Sequence, residues 1–286
     1  MNNFTNSMPD NHIQNPAIAK QILAPIIAHA EVAPSHFRMR LKASHLARHA
    51  VAGQFVHVLP RDGSLTDPML RRAFSILSID GDTFEILYRV MGRGTKQMSG
   101  WAIGQEVDVI GPLGQPFAPL AENALLVGGG VGVPPMAMLA SRPDRQQVTA
   151  LIGARSADDV LCLEDFQRLD VPTEVATQDG SMGHHGLVTE LLEQHLIQAE
   201  KDKTAVYSCG PLPMLRAVAA LCERFDIPCQ VSLEENMPCG VGICNGCVAP
   251  VVGHGDDYSR YRRICIDGPV CWSNEIDWTH WETPSP

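Results

Sequence analysis

Three cysteines, Cys239, Cys244 and Cys247, stand within nine residues in the run "SLEENMPCGVGICNGCVAPV", Ser232 to Val251. Thiolates are soft anionic ligands, so three this close call for a shared inorganic partner. C-x4-C-x2-C followed by a more distant fourth cysteine is a [2Fe–2S] spacing, and two candidates for the fourth follow, Cys265 and Cys271. Gly240, Gly242 and Gly246 let the backbone fold tightly around a bulky core and aim N–H groups at sulfur. Arg262 and Arg263 lie nearby to offset the negative charge of such a site. Zinc also accepts four cysteines, but its sites usually show two paired knuckles, and this sequence has a single C-x2-C, which favours iron–sulfur. Cys162, Cys209, Cys222 and Cys229 are scattered through core-like text and read as buried free thiols.

Two further groups could bind phosphate. "RRAFS" brings together Arg72, Ala73, Phe74 and Ser75, where an arginine beside an aromatic and a hydroxyl could hold a pyrophosphate and face a ring system. "LYRVMGRGTKQMS" runs from a strand into Gly92-Arg93-Gly94-Thr95, and a helix starting there would offer free N–H groups. Downstream, "LLVGGGVGVPPM" sets Gly128, Gly129, Gly130 and Gly132 between a strand and a helix near Pro134, where an α/β sheet binds nucleotide phosphate. Val133 stands where G-x-G-x-x-G would have its third glycine, so the pattern is a departure from that motif. "YSCGPLPML" places Cys209, Gly210 and Pro211 at another strand's carboxyl end.

These residues need two kinds of scaffold. From about Gln21 to Phe117 short β-rich runs, "GQFVHVL", "RAFSILSI", "TFEILYRV" and "EVDVIG", alternate with turns, which predicts an antiparallel barrel. From Asn123 strands alternate with helical stretches: "ALLVGGG" with "VPPMAMLA", "VTALIGA" with "DVLCLEDFQRL", "TEVAT" with "GLVTELLEQHLI", and "AVYSCG" with "PMLRAVAALCERF". That alternation implies a parallel sheet covered on both faces. A last strand, "CQVSLEE", delivers the chain to the cysteine loop. The expected divisions are a loose tail over 1–20, a barrel domain over 21–118, an α/β domain over 119–230 and a cluster domain over 231–286. "CWSNEIDWTHWETPSP" holds three of the four tryptophans, a contact surface or simple packing.

At 286 residues the chain can bury more than one core. The formal charge of −10 argues against unaided nucleic-acid binding. No apolar run approaches the roughly 18 to 20 residues of a membrane span, and "ILAPIIAHAEVA" is short and contains Pro25. The N-terminus lacks the pattern of a secretory signal. Nine cysteines, crowded toward the C-terminus, suit a reducing cytoplasm and a metal site.

Taken together, these motifs resemble the ferredoxin–NADP reductase superfamily: a flavin barrel with R-x-[FY]-S and G-x-G-T, then a nicotinamide domain with a glycine-rich turn and C-G-P. With the cysteine loop after "SLEE", the chain is most similar to the electron-transfer subunits of class 1B dihydroorotate dehydrogenase, over roughly Ile22 to Asp277. In that family the fourth ligand lies just before D-G-P-V, which matches Cys265 in "YRRICIDGPV" and leaves Cys271 spare. The resemblance implies FAD against Arg72, Phe74 and Ser75, with Leu87, Tyr88 and Arg89 near the flavin and Gly94 and Thr95 at the pyrophosphate. Many members have proline at Ala73. It further implies NAD along Gly129, Gly130 and Gly132 and along Cys209, Gly210 and Pro211, with Cys209 either a core thiol or a group at the nicotinamide. Arg155 in "GARSADD" could meet a 2′-phosphate.

The implied function is oxidoreductase electron transfer in pyrimidine biosynthesis. Dihydroorotate is oxidised on FMN in a separate catalytic subunit, two of each subunit forming a heterotetramer, and electrons cross [2Fe–2S] to FAD and leave on NAD+. The loop Pro238 to Val248 and the tryptophan-rich tail are then the expected interface with the partner. The alternatives are an NAD(P)H-dependent reductase component of an oxygenase, hydrogenase or bifurcating complex, and a nucleotide-binding scaffold with structural zinc.

Overall fold

The computed structural model describes residues 18–61, 66–253 and 260–281. The expected loose tail therefore lies almost wholly outside the described residues. Six strands close into a barrel: β1 (Lys20–Ala33), β2 (His36–Lys42), β3 (Phe55–Val58), β4 (Arg72–Asp80), β5 (Thr83–Arg89) and β6 (Glu106–Leu113), in the order β1-β2-β5-β4-β3-β6. Helices α1 (Ser44–His49) and α2 (Arg93–Met98) punctuate it.

One of these strands escapes a reading by pattern. β1 contains Pro25 and has little alternation, being mostly exposed. It pairs with β6 through Pro25 and with β2 from Ile26 onward, so the proline sits where the strand changes partners. A residue without an N–H is tolerated at such a ladder end.

The second unit is a seven-stranded sheet. Its strands are β7 (Asn123–Gly129), β8 (Gln147–Ala154), β9 (Thr173–Thr177), β10 (His184–His185), β11 (Thr204–Cys209), β12 (Cys229–Ser232) and β15 (Val270–Trp272). A separate ribbon pairs β13 (Val248–Pro250) with β14 (Tyr261–Arg263). The sheet order is β10-β9-β8-β7-β11-β12-β15, parallel except for β15, which runs antiparallel to β12. Helices α3 (Val133–Ala140), α4 (Leu163–Arg168), α5 (Val188–Ile197) and α6 (Leu212–Phe225) cover its faces, and α7 (Ile264–Asp267) precedes β15. The helix expected over "DVLCLEDFQRL" begins only at Leu163, because Cys162 takes a left-handed conformation with φ 60° and a short turn at Ala157–Asp159 precedes it.

Strand order reverses at β7, whose neighbours β8 and β11 lie on opposite sides, and such a point opens a crevice at the carboxyl ends of the strands. There Gly128 pairs with Cys209. The backbones crowd so closely that a Cβ on Gly132 would lie 2.4 Å from the Cys209 carbonyl carbon and 2.5 Å from the Gly210 nitrogen.

The barrel and sheet share a core in which Ile76 and Leu77 belong with Met136 and Ala137. The linker between them is pinned: Ala118 N–H donates to Gln230 Oε1 at 3.0 Å, and Tyr207 Oη donates to the Pro119 carbonyl at 3.0 Å. An ionic joint adds to this. Arg38 on β2 donates to both carboxylate oxygens of Asp165 on α4, each at 3.0 Å, and to Glu85 on β5. Glu85 also accepts from Arg40 at 2.9 Å and from Ser78 at 2.8 Å. Most of this network is withdrawn from solvent, the Asp165 and Glu85 side chains being 11% and 7% exposed.

Asp165→Ala should cost about 2 kcal/mol, the value of charged hydrogen bonds lost at a buried site, read as a lower denaturant midpoint. Gly132→Ala should cost about 2 kcal/mol or more by overpacking against backbone, and it should weaken nucleotide binding, measured by calorimetric titration with NADH.

Candidate functional site

A cleft of about 590 Å³ opens on the barrel. All nine barrel residues expected at the flavin line it: Arg72, Ala73, Phe74 and Ser75 on β4, Leu87, Tyr88 and Arg89 at the end of β5, and Gly94 and Thr95 on α2. The Phe74 and Tyr88 rings lie 5.6 Å apart, tilted by 53°. Arg72 donates to the Leu70 and Arg71 carbonyls at 2.9 and 3.1 Å and has no carboxylate partner among the described residues, which leaves its charge free for an anion. Thr95 Oγ1 takes the Met91 N–H at 2.9 Å and so fixes the turn from β5 into α2.

A second cavity of about 460 Å³ lies over the carboxyl ends of the sheet. Gly129, Gly130 and Pro211 line it, together with Gly153, Arg155 and Val188. Gly132 and Gly210 stand behind this wall, where they allow the close approach of β7 and β11. Cys209, expected along the nicotinamide path, lines the barrel-side cleft instead, and its thiol is pushed well up by burial. Arg155 faces the cavity with no ion-pair partner among the described residues.

The two cavities share Arg89, Met91, Val131 and Glu234, so they form one continuous trough. Glu234 was missed by motif reading, although a residue just past the carboxyl end of β12 stands where ligands gather in such sheets. It faces the open trough while protein hems it in, and this desolvation raises its carboxyl above the usual range.

The cysteine loop adjoins the barrel end of the trough, which Asn236 and Met237 line. Each sulfur of Cys239, Cys244, Cys247 and Cys265 accepts a backbone N–H: from Cys244 at 3.5 Å, Gly246 at 3.4 Å, Cys265 at 3.4 Å and Gly242 at 3.2 Å respectively. The thiols associate as two pairs, Cys239 with Cys244 and Cys247 with Cys265. Among the described residues no three His, Cys, Asp or Glu side chains surround one point as they would around a single ion. Four thiols with backbone N–H donors at their sulfurs fit the donor set of a [2Fe–2S] group.

The local electrostatics favour thiolate at Cys239 and Cys247. Partial burial opposes ionisation of Cys239, but the Cys244 and Val241 N–H groups outweigh it and bring the thiol down to about 7. Cys247 is brought down to about 6 by the Cys265 thiol and by backbone donors, while Cys265 is pushed up in return. Cys271 differs: it sits in β15 opposite Val231, and burial pushes it up to about 12.

Two expectations need correction. Arg262 and Arg263 do not face the thiols as free cations. Arg262 is paired with Glu275 at 2.7 Å, and Arg263 lies 3.6 Å from Asp267 while donating to the Gly242 carbonyl at 3.1 Å. The tryptophans are packed rather than displayed: Trp272 and Trp281 are 9% and 6% exposed, Trp278 stacks on Trp281 at 6.1 Å, and Arg216 donates to the Trp281 carbonyl. The loop itself does display apolar side chains, Ile243 being 80% exposed.

Comparison with known proteins gives this geometry its context. The family profile of the iron-sulfur cluster binding domain of dihydroorotate dehydrogenase B matches residues 234–277, and that of the oxidoreductase NAD-binding domain matches residues 126–220. A dihydroorotate dehydrogenase B (NAD(+)) electron transfer subunit of Desulforamulus reducens is 38% identical over 268 residues, 91% of this chain and 100% of the relative. The subunit of the same name from Shouchella clausii is 39% identical over 266 residues, 90% of this chain and 98% of the relative. Among solved structures, an NADH-dependent reduced ferredoxin-NADP oxidoreductase, studied for flavin-based electron bifurcation, superposes with a TM-score of 0.77 at 26% identity, covering 91% of each chain. A ferredoxin NADP+ reductase from Neisseria gonorrhoeae with bound FAD and NADP shares the fold, with a TM-score of 0.61 at 15% identity over 72% of this chain and 92% of that one. On this likeness over nearly its whole length, the chain belongs to the family of dihydroorotate dehydrogenase B (NAD(+)) electron transfer subunits.

Proposed function

We propose that the chain passes electrons from a separate FMN-bearing subunit that oxidises dihydroorotate, through [2Fe–2S] and FAD, to NAD+ in pyrimidine biosynthesis. The observation that carries this reading is the continuous trough, which joins the nicotinamide cavity to the barrel cleft and ends at the loop leading into Cys239. When bound, FAD supplies the link between single electrons and hydride. Arg72 would hold the flavin pyrophosphate with the backbone at Gly94 and Thr95, while Phe74, Ser75, Leu87, Tyr88 and Arg89 face the ring system. Gly129, Gly130 and Pro211 would pass the nicotinamide nucleotide along the carboxyl ends of β7 and β11. The chain itself needs no acid or base for this work; its residues bind, orient and tune.

Cys239, Cys244, Cys247 and Cys265 are the proposed cluster ligands, and Cys271 is a core thiol. The exposed face of the loop Pro238 to Val248, with Ile243 and Val241 outward, is the proposed contact with the catalytic subunit. Two of each subunit would assemble, in the cytoplasm. No helix among the described residues is long and apolar enough to cross a membrane. The likeness to the bifurcating oxidoreductase carries a second reading, the flavin and iron-sulfur component of another NAD(P)H-linked complex.

Cys265→Ser should lose the cluster while Cys271→Ser keeps it, measured as iron per chain and as the electron paramagnetic resonance signal of the reduced protein. Unchanged iron in the Cys265 variant overturns the assignment. The function is tested by purifying the chain with its native partner and assaying dihydroorotate-dependent NAD+ reduction. Loaded protein that ignores dihydroorotate moves the case to the second reading, and zinc without flavin absorbance sinks both.

A further inference from the structure

His57 has no role in any motif, yet it is wholly buried at the seam between barrel and cysteine loop. Its backbone lies on β3 opposite Ala73 of the flavin strand. Its Nε2 lies 2.8 Å from the carbonyl oxygen of Met237, two residues before Cys239. A carbonyl only accepts, so this nitrogen carries the proton, and Nδ1 lies against the backbone of Cys239 and Gly240. Gly240 has φ +69°, and a Cβ there would come within 2.5 Å of Nδ1, so the loop lies flat on the imidazole.

A matching contact holds the other side of the ligand set. Gln115, just past β6, donates from Nε2 to the Ile266 carbonyl at 2.9 Å, and its backbone N–H donates to the Gly268 carbonyl at 2.6 Å. One barrel side chain thus grips the chain beside Cys239, and a second grips it beside Cys265. The Cys239 and Cys265 thiols belong to different pairs, so each grip fixes one half of the proposed site. The His57–Met237 contact is buried and the Gln115–Ile266 contact half-buried, and partners so far apart in sequence specify one geometry, because breaking such a contact leaves a polar group withdrawn from water unsatisfied.

We infer that His57 and Gln115 are positioning residues, a two-point clamp that holds the cluster loop against the flavin strand and sets the electronic contact between the two groups. This rests on the reading of Cys239 and Cys265 as cluster ligands. Both residues act through the backbone, and neither touches a thiol as a ligand.

The test uses the complex with its catalytic partner, loaded with flavin and iron. Rapid mixing with NADH separates two events: hydride transfer bleaches the flavin as NADH becomes NAD+, and one electron of the pair then passes to the cluster. His57→Leu should retain iron and reduce its flavin within about 2-fold of the parent rate, while passage to the cluster slows by about 10-fold or more, the scale expected of a sub-ångström to ångström misplacement. His57→Gln, whose amide can donate to the same carbonyl, should recover most of that rate. Amide hydrogen exchange over 237–247 should rise in His57→Leu and not in His57→Gln. Gln115→Leu should give the same kinetic split, with increased exchange over 264–268, and provides the test should His57→Leu fail to hold iron. Passage to the cluster at the parent rate in both leucine variants, or no recovery in His57→Gln, overturns the clamp. Absence of iron and flavin from the parent protein overturns the functional reading instead, so the two failures are distinguishable.

Discussion

Arg38 is held by carboxylates from two units of the protein, Glu85 in the barrel and Asp165 on α4 of the sheet unit. Everything functional depends on the relation this joint helps to fix, because the trough exists only while barrel and sheet keep their relative placement. A guanidinium suits the task. Its planar fork satisfies two carboxylates at once, and it stays charged under burial, whereas a lysine would offer a single point charge. Burial disfavours the charge on Arg38, but its hydrogen bonds to Glu85 and Asp165 together outweigh that cost and hold it more firmly in its charged form. Buried ion pairs add little net stability against an apolar replacement, but they penalise every arrangement that separates them. Here that penalty falls on any rotation that would part Arg89 and Met91 from the sheet side of the trough.

The parts legible in the sequence are those whose chemistry is local. The cysteine loop, the glycine turn after β7 and the arginine strand each lie within a dozen residues, and each lines or adjoins the trough. The four quoted β-rich runs became β3 to β6, since alternation of apolar residues marks strands that bury one face. β1 escapes that pattern because it is mostly exposed and carries a proline at its change of partners. Burial, and not propensity, is what periodicity detects.

What stayed hidden acts across the chain. Cys265 and Cys271 are close in sequence and equivalent in composition. They differ because α7 turns the first toward Cys247 while β15 commits the second to the sheet. His57 meets Met237 across 180 positions, a juxtaposition that no local pattern encodes. The arginines beside the loop were misread for the opposite reason: their carboxylate partners, Glu275 and Asp267, are near in sequence, but the β13–β14 ribbon and α7 had to be in place before the pairings could be seen.

β15 gives the cluster segment a structural duty besides its redox one. A parallel sheet ending at β12 would present an unpaired edge, and an exposed edge is a site for unwanted pairing. The antiparallel β15 covers it, with Leu233 N–H donating to the Pro269 carbonyl at 2.9 Å at one end and the packed Trp272 at the other. The segment between Cys265 and Cys271 therefore touches the barrel through Gln115, the loop through Cys247 and the sheet through β12. A group bound across Cys247 and Cys265, the proposed ligands, would share its free energy with all three contacts, because ligands fixed by a metal group are ordered by it as well. A cluster held there would in this sense be a staple in the fold, set where the barrel, the sheet and the outward face of the loop converge.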